Sequence, residues 1–156
     1  MMFGRVGFRA FSLVEVTLAL GVAAIALLAI FGLLAIGTQS SRVAIEQSAS
    51  SNLLTAVAAD LRATPRTSAV SGQFTIAIPS NPIETPIAGT LYFSSSGQPS
   101  TSLKDESRYR CTVTFLPNEG ERVATLTTLR MTWPAAADPT TVNAGSAEAF
   151  VALDRN

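Results

Sequence analysis

The sequence predicts an α+β protein: one long N-terminal helix, transmembrane in its first half, packed on a small antiparallel β-sheet. Three observations carry that expectation. Val16 to Gly37 reads VTLALGVAAIALLAIFGLLAIG, 22 residues with no charge and a single hydroxyl, Thr17. From Thr38 to Ala63 there is neither Pro nor Gly, and Leu54, Val57, Ala58 and Leu61 keep the i, i+3, i+4, i+7 spacing of one helix face. Beyond Pro65 the pattern changes to short alternating runs broken by Pro, Gly and Ser, the signature of strands and turns.

Composition narrows the function before any motif is considered. Of 156 residues, 47% are apolar and 14% charged, against about 25% charged in an ordinary soluble domain. Eleven basic and eleven acidic residues cancel, so no net field attracts nucleic acid or anionic lipid, and no nucleic-acid partner is expected. Histidine is absent, which removes imidazole acid/base catalysis, histidine-based triads and histidine metal sites. The one cysteine, Cys111, permits neither an internal disulfide nor a thiolate zinc site. No phosphate loop or clustered catalytic set is present. The expectation is therefore a protein that is not an enzyme and carries no cofactor.

Taken in order, the apolar run comes first. As a helix, 22 residues span about 33 Å, enough for a hydrocarbon core of about 30 Å. Arg5 and Arg9 precede it, and basic residues before such a span hold that end in the cytoplasm, so the rest of the chain faces outward. A secretory signal has a shorter apolar core, although Ala35-Ile36-Gly37 is a small-x-small triplet that would suit a cleavage site. The helix is expected to continue without a break to Thr64-Pro65, near 80 Å in all. Its second half is amphipathic, with Arg42, Glu46, Asp60 and Arg62 expected toward water or neighbouring subunits.

The head, residues 65–156, reads as short strands. Phe74, Ile76 and Ile78 alternate with Thr75 and Ala77, which predicts a half-buried strand; Pro79 to Gly89 reads as an extended loop, Leu91-Tyr92-Phe93 as a short strand, and Ser94 to Ser107 as a polar Ser/Gly/Pro loop. Tyr109, Cys111, Val113 and Phe115 share one face of a strand over 108–116. Pro117-Asn118-Glu119-Gly120 supplies a turn into a second arm, 122–133, with Leu129, Met131 and Trp133 on one face. Ala147–Leu153 is expected to return as an edge strand. Cys111 and Trp133 are expected in the core. The loop acids Asp105, Glu106, Glu119, Glu121 and Asp138 have no calcium-loop spacing and read as solvated turn residues.

Glu15 is the residue that an ordinary anchor does not explain. It stands one position before the uncharged run, where a carboxylate drawn to the bilayer centre would cost about 2.5–3.5 kcal/mol and less at the interface. Acids inside or beside such spans are usually functional and partnered.

Ala10-Phe11-Ser12-Leu13-Val14-Glu15 followed by the long apolar run resembles the class III signal of type IV pilins and pseudopilins. The resemblance implies that prepilin peptidase cuts between Ala10 and Phe11, and that Phe11 becomes an N-methylated N-terminus. It makes Glu15 the family's acid, four positions beyond that Phe. The family prefers Gly before the cut, where this chain has Ala10. A cut between Gly7 and Phe8 would restore Gly but leave Ser12 in the acid's position. Major pilins often carry Pro where this chain has Gly32, and many close a C-terminal loop with a disulfide that this chain cannot form. In an assembled bundle the Glu15 carboxylate would neutralise the new ammonium of a neighbour, and breaking such a buried pair costs about 3–5 kcal/mol. Gly21, Gly32 and Gly37 thin the helix for close packing, without a GxxxG spacing.

A second resemblance covers more of the chain. The run from Phe11 to Leu34, then Asp60-Leu61-Arg62-Ala63-Thr64-Pro65, Leu91-Tyr92-Phe93, Thr132-Trp133-Pro134-Ala135 and the ending Ala152 to Asn156 are similar to the Verru_Chthon cassette protein B family. These are prepilin-type proteins with no established activity to carry over. The organisation implied is a leader over 1–10, an assembly helix over 11–37, its amphipathic continuation over 38–64 and a β-rich head over 65–156. The partners implied are prepilin peptidase, other pilin-like subunits and an inner-membrane assembly platform. The other reading of the same residues is a single-pass anchor carrying an extracytoplasmic binding module that does not assemble.

Overall fold

The computed structural model describes residues 12–119, 124–138 and 145–154. One helix, α1 (Leu13–Ala63), runs for 51 residues and is followed by five strands: β1 (Ile87–Ser94), β2 (Pro99–Ser100), β3 (Ser107–Phe115), β4 (Thr125–Trp133) and β5 (Gly145–Leu153). The helix stops where Thr64-Pro65 makes a further turn sterically unfavourable, and the Thr64 hydroxyl donates back to the Asp60 carbonyl at 2.7 Å. The chain divides into two compact units, Met1–Val43 and Ala44–Asn156. The second unit contains the last turns of α1 and the whole sheet.

All neighbouring strands pair antiparallel, in the order β2-β1-β3-β4-β5. The register aligns apolar residues across the sheet: Leu91, Cys111, Met131 and Ala147 form one row, and Gly89, Val113, Leu129 and Ala149 the next. Because side chains alternate across a strand, this places the apolar set on one face. That face buries Phe93, Cys111, Val113, Leu129 and Met131 completely, packed in one core with Leu54, Val57 and Leu61 of α1. Strands become continuous in this way because each row is completed only by the next strand's contribution. The opposite face carries Thr90, Thr112, Arg130 and Glu148 in one row, with Arg130 and Glu148 ion-paired at 3.2 Å.

The hairpin and the returning edge strand match the sequence reading, and Trp133 is buried against Tyr109, ring centroids 6.2 Å apart. That packing leaves no space at Gly145, the first residue of β5, where a Cβ would collide with the Trp133 indole.

Three local expectations are corrected. Phe74, Ile76 and Ile78 are buried as the alternation implied, yet they form no strand of the sheet. The segment folds back on itself through Ser71 N–H to the Ile76 carbonyl (2.9 Å) and Ile78 N–H to the Ala69 carbonyl (2.8 Å). Thr75 takes a positive φ of 52° at its tip. The reason is Asp60, expected in water but buried under this loop, where it binds the loop's amides. Next, Ile87 to Gly89 is the first half of β1 instead of loop, because Phe115, Thr114 and Val113 pair with it. Last, the polar stretch after Ser94 contains the short strand β2, paired with Tyr92 and Phe93.

The loop that precedes β1 is tied to the β3–β4 connection. Ile83 N–H donates to Asn118 Oδ1 at 2.9 Å, Asn118 N–H returns to the Ile83 carbonyl at 2.9 Å, and Asn81 Oδ1 accepts from Asn118 and Thr125.

Candidate assembly site

Ala10 and Phe11, the expected processing residues, lie outside the described residues. Glu15 stands in the first turn of α1, exposed, where a carboxylate complements the unsatisfied amides and positive end of a helix. The helix starts immediately before it, with Val16 N–H bonded to the Ser12 carbonyl at 3.2 Å. Thr17, the only hydroxyl in the apolar run, donates to the Val14 carbonyl at 2.9 Å. Its polar group is thus satisfied within the helix, as a hydrocarbon environment demands.

From Leu13 to Ile36 the large apolar side chains stand exposed all around the helix, among them Leu18, Ile25, Leu28, Phe31 and Leu33. This is the one helix among the described residues long and apolar enough to cross a membrane, and none of its most apolar stretch is buried by the rest of the chain. A helix apolar on every side needs lipid or other helices around it. At Gly21, Gly32 and Gly37 an added Cβ would meet nothing within 4 Å. Among the described residues these glycines therefore answer to no packing, and they leave the helix surface open to a neighbour's approach.

In the head, the charged groups mostly serve the fold. Glu46 on α1 is paired with Arg108 at the start of β3, and Arg66 reaches Asp154 beyond β5 at 3.3 Å. Asp60 accepts from Gln73 N–H at 2.8 Å and Phe74 N–H at 3.0 Å. Burial alone would raise its pKa, but hydrogen bonds from Ser71, Gln73, Phe74 and Gly72 favour the carboxylate and hold the group below its ordinary value. Cys111 is wholly buried, and burial pushes its thiol up to about 12. Such a thiol is not a nucleophile at neutral pH. Among the described residues no three acids or cysteines gather as metal ligands; of the loop acids, Glu121 lies outside the described residues.

The sheet has two features that sequence reasoning missed. A groove of about 500 Å³ runs between α1 and β5, lined by Leu54, Ala58, Arg62, Ala149 and Val151 among others. On the sheet's outer face the Arg110 guanidinium lies 5.8 Å from the Tyr92 ring centre, a cation–π contact across adjacent strands. Neither has a sequence signature, since each depends on which strands become neighbours.

Comparison of the chain with family models, curated proteins and solved structures gives no match.

Proposed function

We propose that this chain is a structural subunit of minor pilin or pseudopilin type. In this reading prepilin peptidase matures it between Ala10 and Phe11, and the chain assembles through its N-terminal helix into a type IV pilus or a type II secretion-like pseudopilus. One observation carries the reading: a carboxylate, Glu15, at the mouth of a helix whose apolar surface its own fold leaves uncovered. Lipid satisfies such a surface in the unassembled subunit, and neighbouring helices satisfy it in a filament. Glu15 then has a partner in the ammonium created at Phe11 of an adjacent subunit, which makes the pair a register device. The leader arginines place the N-terminus in the cytoplasm and the head outside the bacterial inner membrane. The partners are prepilin peptidase, other pilin-like subunits and the assembly platform.

Intact mass and N-terminal sequencing of the membrane-extracted protein from its native host test this directly. A chain beginning at N-methyl-Phe11 is the expected result. A chain that still begins at Met1 would overturn the reading in favour of a non-assembling anchor with a binding head. One cut near Gly37 would make it an exported soluble domain.

A further inference from the structure

Among the described residues no strand pairs with the outer side of β5 or with Ile87–Leu91 of β1, and these two edges are complementary. β5 pairs only with β4 among the described residues, which leaves the outer side of a nine-residue strand free. At the other edge β2 pairs only with Tyr92 and Phe93, so among the described residues Ile87–Leu91 of β1 has no strand partner on that side, where the Thr75–Ala77 loop and Thr101 line a hollow beside it. Neither stretch contains Pro or Lys, the residues that commonly protect an exposed edge.

We propose that β5 of one copy pairs antiparallel with the Ile87–Leu91 edge of the next copy, extending the sheet from head to head; this rests on the reading of the chain as an assembling subunit. The inner-face residues dictate a register. Ala147 and Ala149 lie on the face of Met131 and Leu129, and Ile87 and Gly89 on the face of Phe115 and Val113. Setting Ala147 opposite Gly89 and Ala149 opposite Ile87 puts Gly145 opposite Leu91, where the free edge of β1 ends and β2 begins. Ser146 and Thr90 then face each other on the outer side. Ile87, exposed in the single chain, enters the groove over Leu54, Ala58 and Ala149. Ala147 and Ala149, which line that groove, are only partly buried.

Charge complementarity selects a second copy as the occupant. The Arg66–Asp154 pair shows that α1 and β5 finish side by side, so Arg62 stands at the groove end nearest the β5 C-terminus. In the antiparallel pairing, Glu84 of the next copy, three residues before Ile87, arrives at that same end. Arg62 and Glu84 take part in no ion pair among the described residues. Because the two paired edges differ, the contact is heterologous and repeats without closing on itself, which suits a filament.

The test is a full-length chain carrying Ser146→Cys and Thr90→Cys together, oxidised in native membranes and resolved without reductant. A ladder of dimers, trimers and higher species is expected, whereas either single variant gives none. Cys111, wholly buried, stays silent. Adding Arg62→Glu should weaken the ladder about fivefold, and adding Glu84→Arg to that variant should restore it, which a misfolded head would not do. A double-cysteine chain that stays monomeric, or a charge reversal without rescue, overturns the proposal. If the mature chain begins at Phe11 and no ladder forms, edge pairing falls while the pilin reading stands. A ladder from a chain that retains Met1 has the opposite meaning.

Discussion

The carboxylate of Asp60, near the end of α1, accepts the backbone N–H of Phe74 at 3.0 Å, while its other oxygen accepts from Gln73 at 2.8 Å. The chain leaving the helix is thereby folded back over the helix that it left. Phe74 is held edge-to-face against Phe93, ring centroids 5.5 Å apart, and closes the core at that end. Asp60→Ala would leave the buried Phe74 amide and the part-buried Gln73 amide without this partner, at a cost of about 2–3 kcal/mol. Urea denaturation of a head fragment beginning at Thr38 measures it. A loss below about 0.5 kcal/mol, the range of ordinary surface changes, would show that the loop holds without the clamp.

The same group gives the head a defined acid sensitivity. Its carboxyl in the folded state lies below the ordinary 3.8, so its contribution is fully present above that value. It is lost as pH falls through the lowered folded value. Asp60→Asn should therefore flatten the acid limb of the stability–pH curve and leave its shape near neutrality unchanged. Parallel curves for the two proteins below pH of about 4 would contradict the assignment.

Thr127 of β4 is wholly buried, and its hydroxyl has no hydrogen-bond partner among the described residues. Thr127→Val keeps the shape and removes an unsatisfied polar group, so the fragment should gain about 1 kcal/mol. A loss in thermal or chemical denaturation would mean that the hydroxyl is satisfied in solution.

Cys111 should be inert in the folded head. With the thiol pushed up to about 12 by burial, the thiolate fraction at neutral pH is negligible. A water-soluble disulfide reagent should label it only after denaturation. Rapid labelling under native conditions would mean that β3 opens far more readily than its burial implies.

Glu15→Ala should leave membrane insertion intact and lower incorporation into filaments, as expected if the carboxylate answers to a neighbouring subunit and not to its own helix. Incorporation at the normal level, read by immunoblot of sheared filaments, would sink the pairing model.

The legible parts of this protein were those set by local pattern. An uncharged 22-residue run admits only a helix that lipid or other helices must cover, and a proline after Thr64 ends it. The alternation of Tyr109, Cys111, Val113 and Phe115 identified both β3 and the face that it buries. The same alternation at Phe74, Ile76 and Ile78 misled, because period two reports burial on one side and is silent about which backbone groups bond to which. There the donors went to Asp60 and to the loop itself. Ile87 to Gly89 erred the other way: proline-rich surroundings read as loop, yet β3 supplied a partner strand.

Of the candidate site, Glu15 and the apolar surface were evident from the amino-acid order, since charge and hydropathy along one helix need no third dimension. The groove beside β5, the partly buried positions of Ala147 and Ala149, and the separation of Arg62 and Glu84 at opposite edges were not. Those depend on the strand order β2-β1-β3-β4-β5, chosen by packing among segments distant in the chain. Sequence alone determined that this protein carries a helix long and apolar enough to cross a membrane, followed by a sheet. Only the tertiary structure decided which edges stay open, because an edge is defined by the strand that is missing beside it.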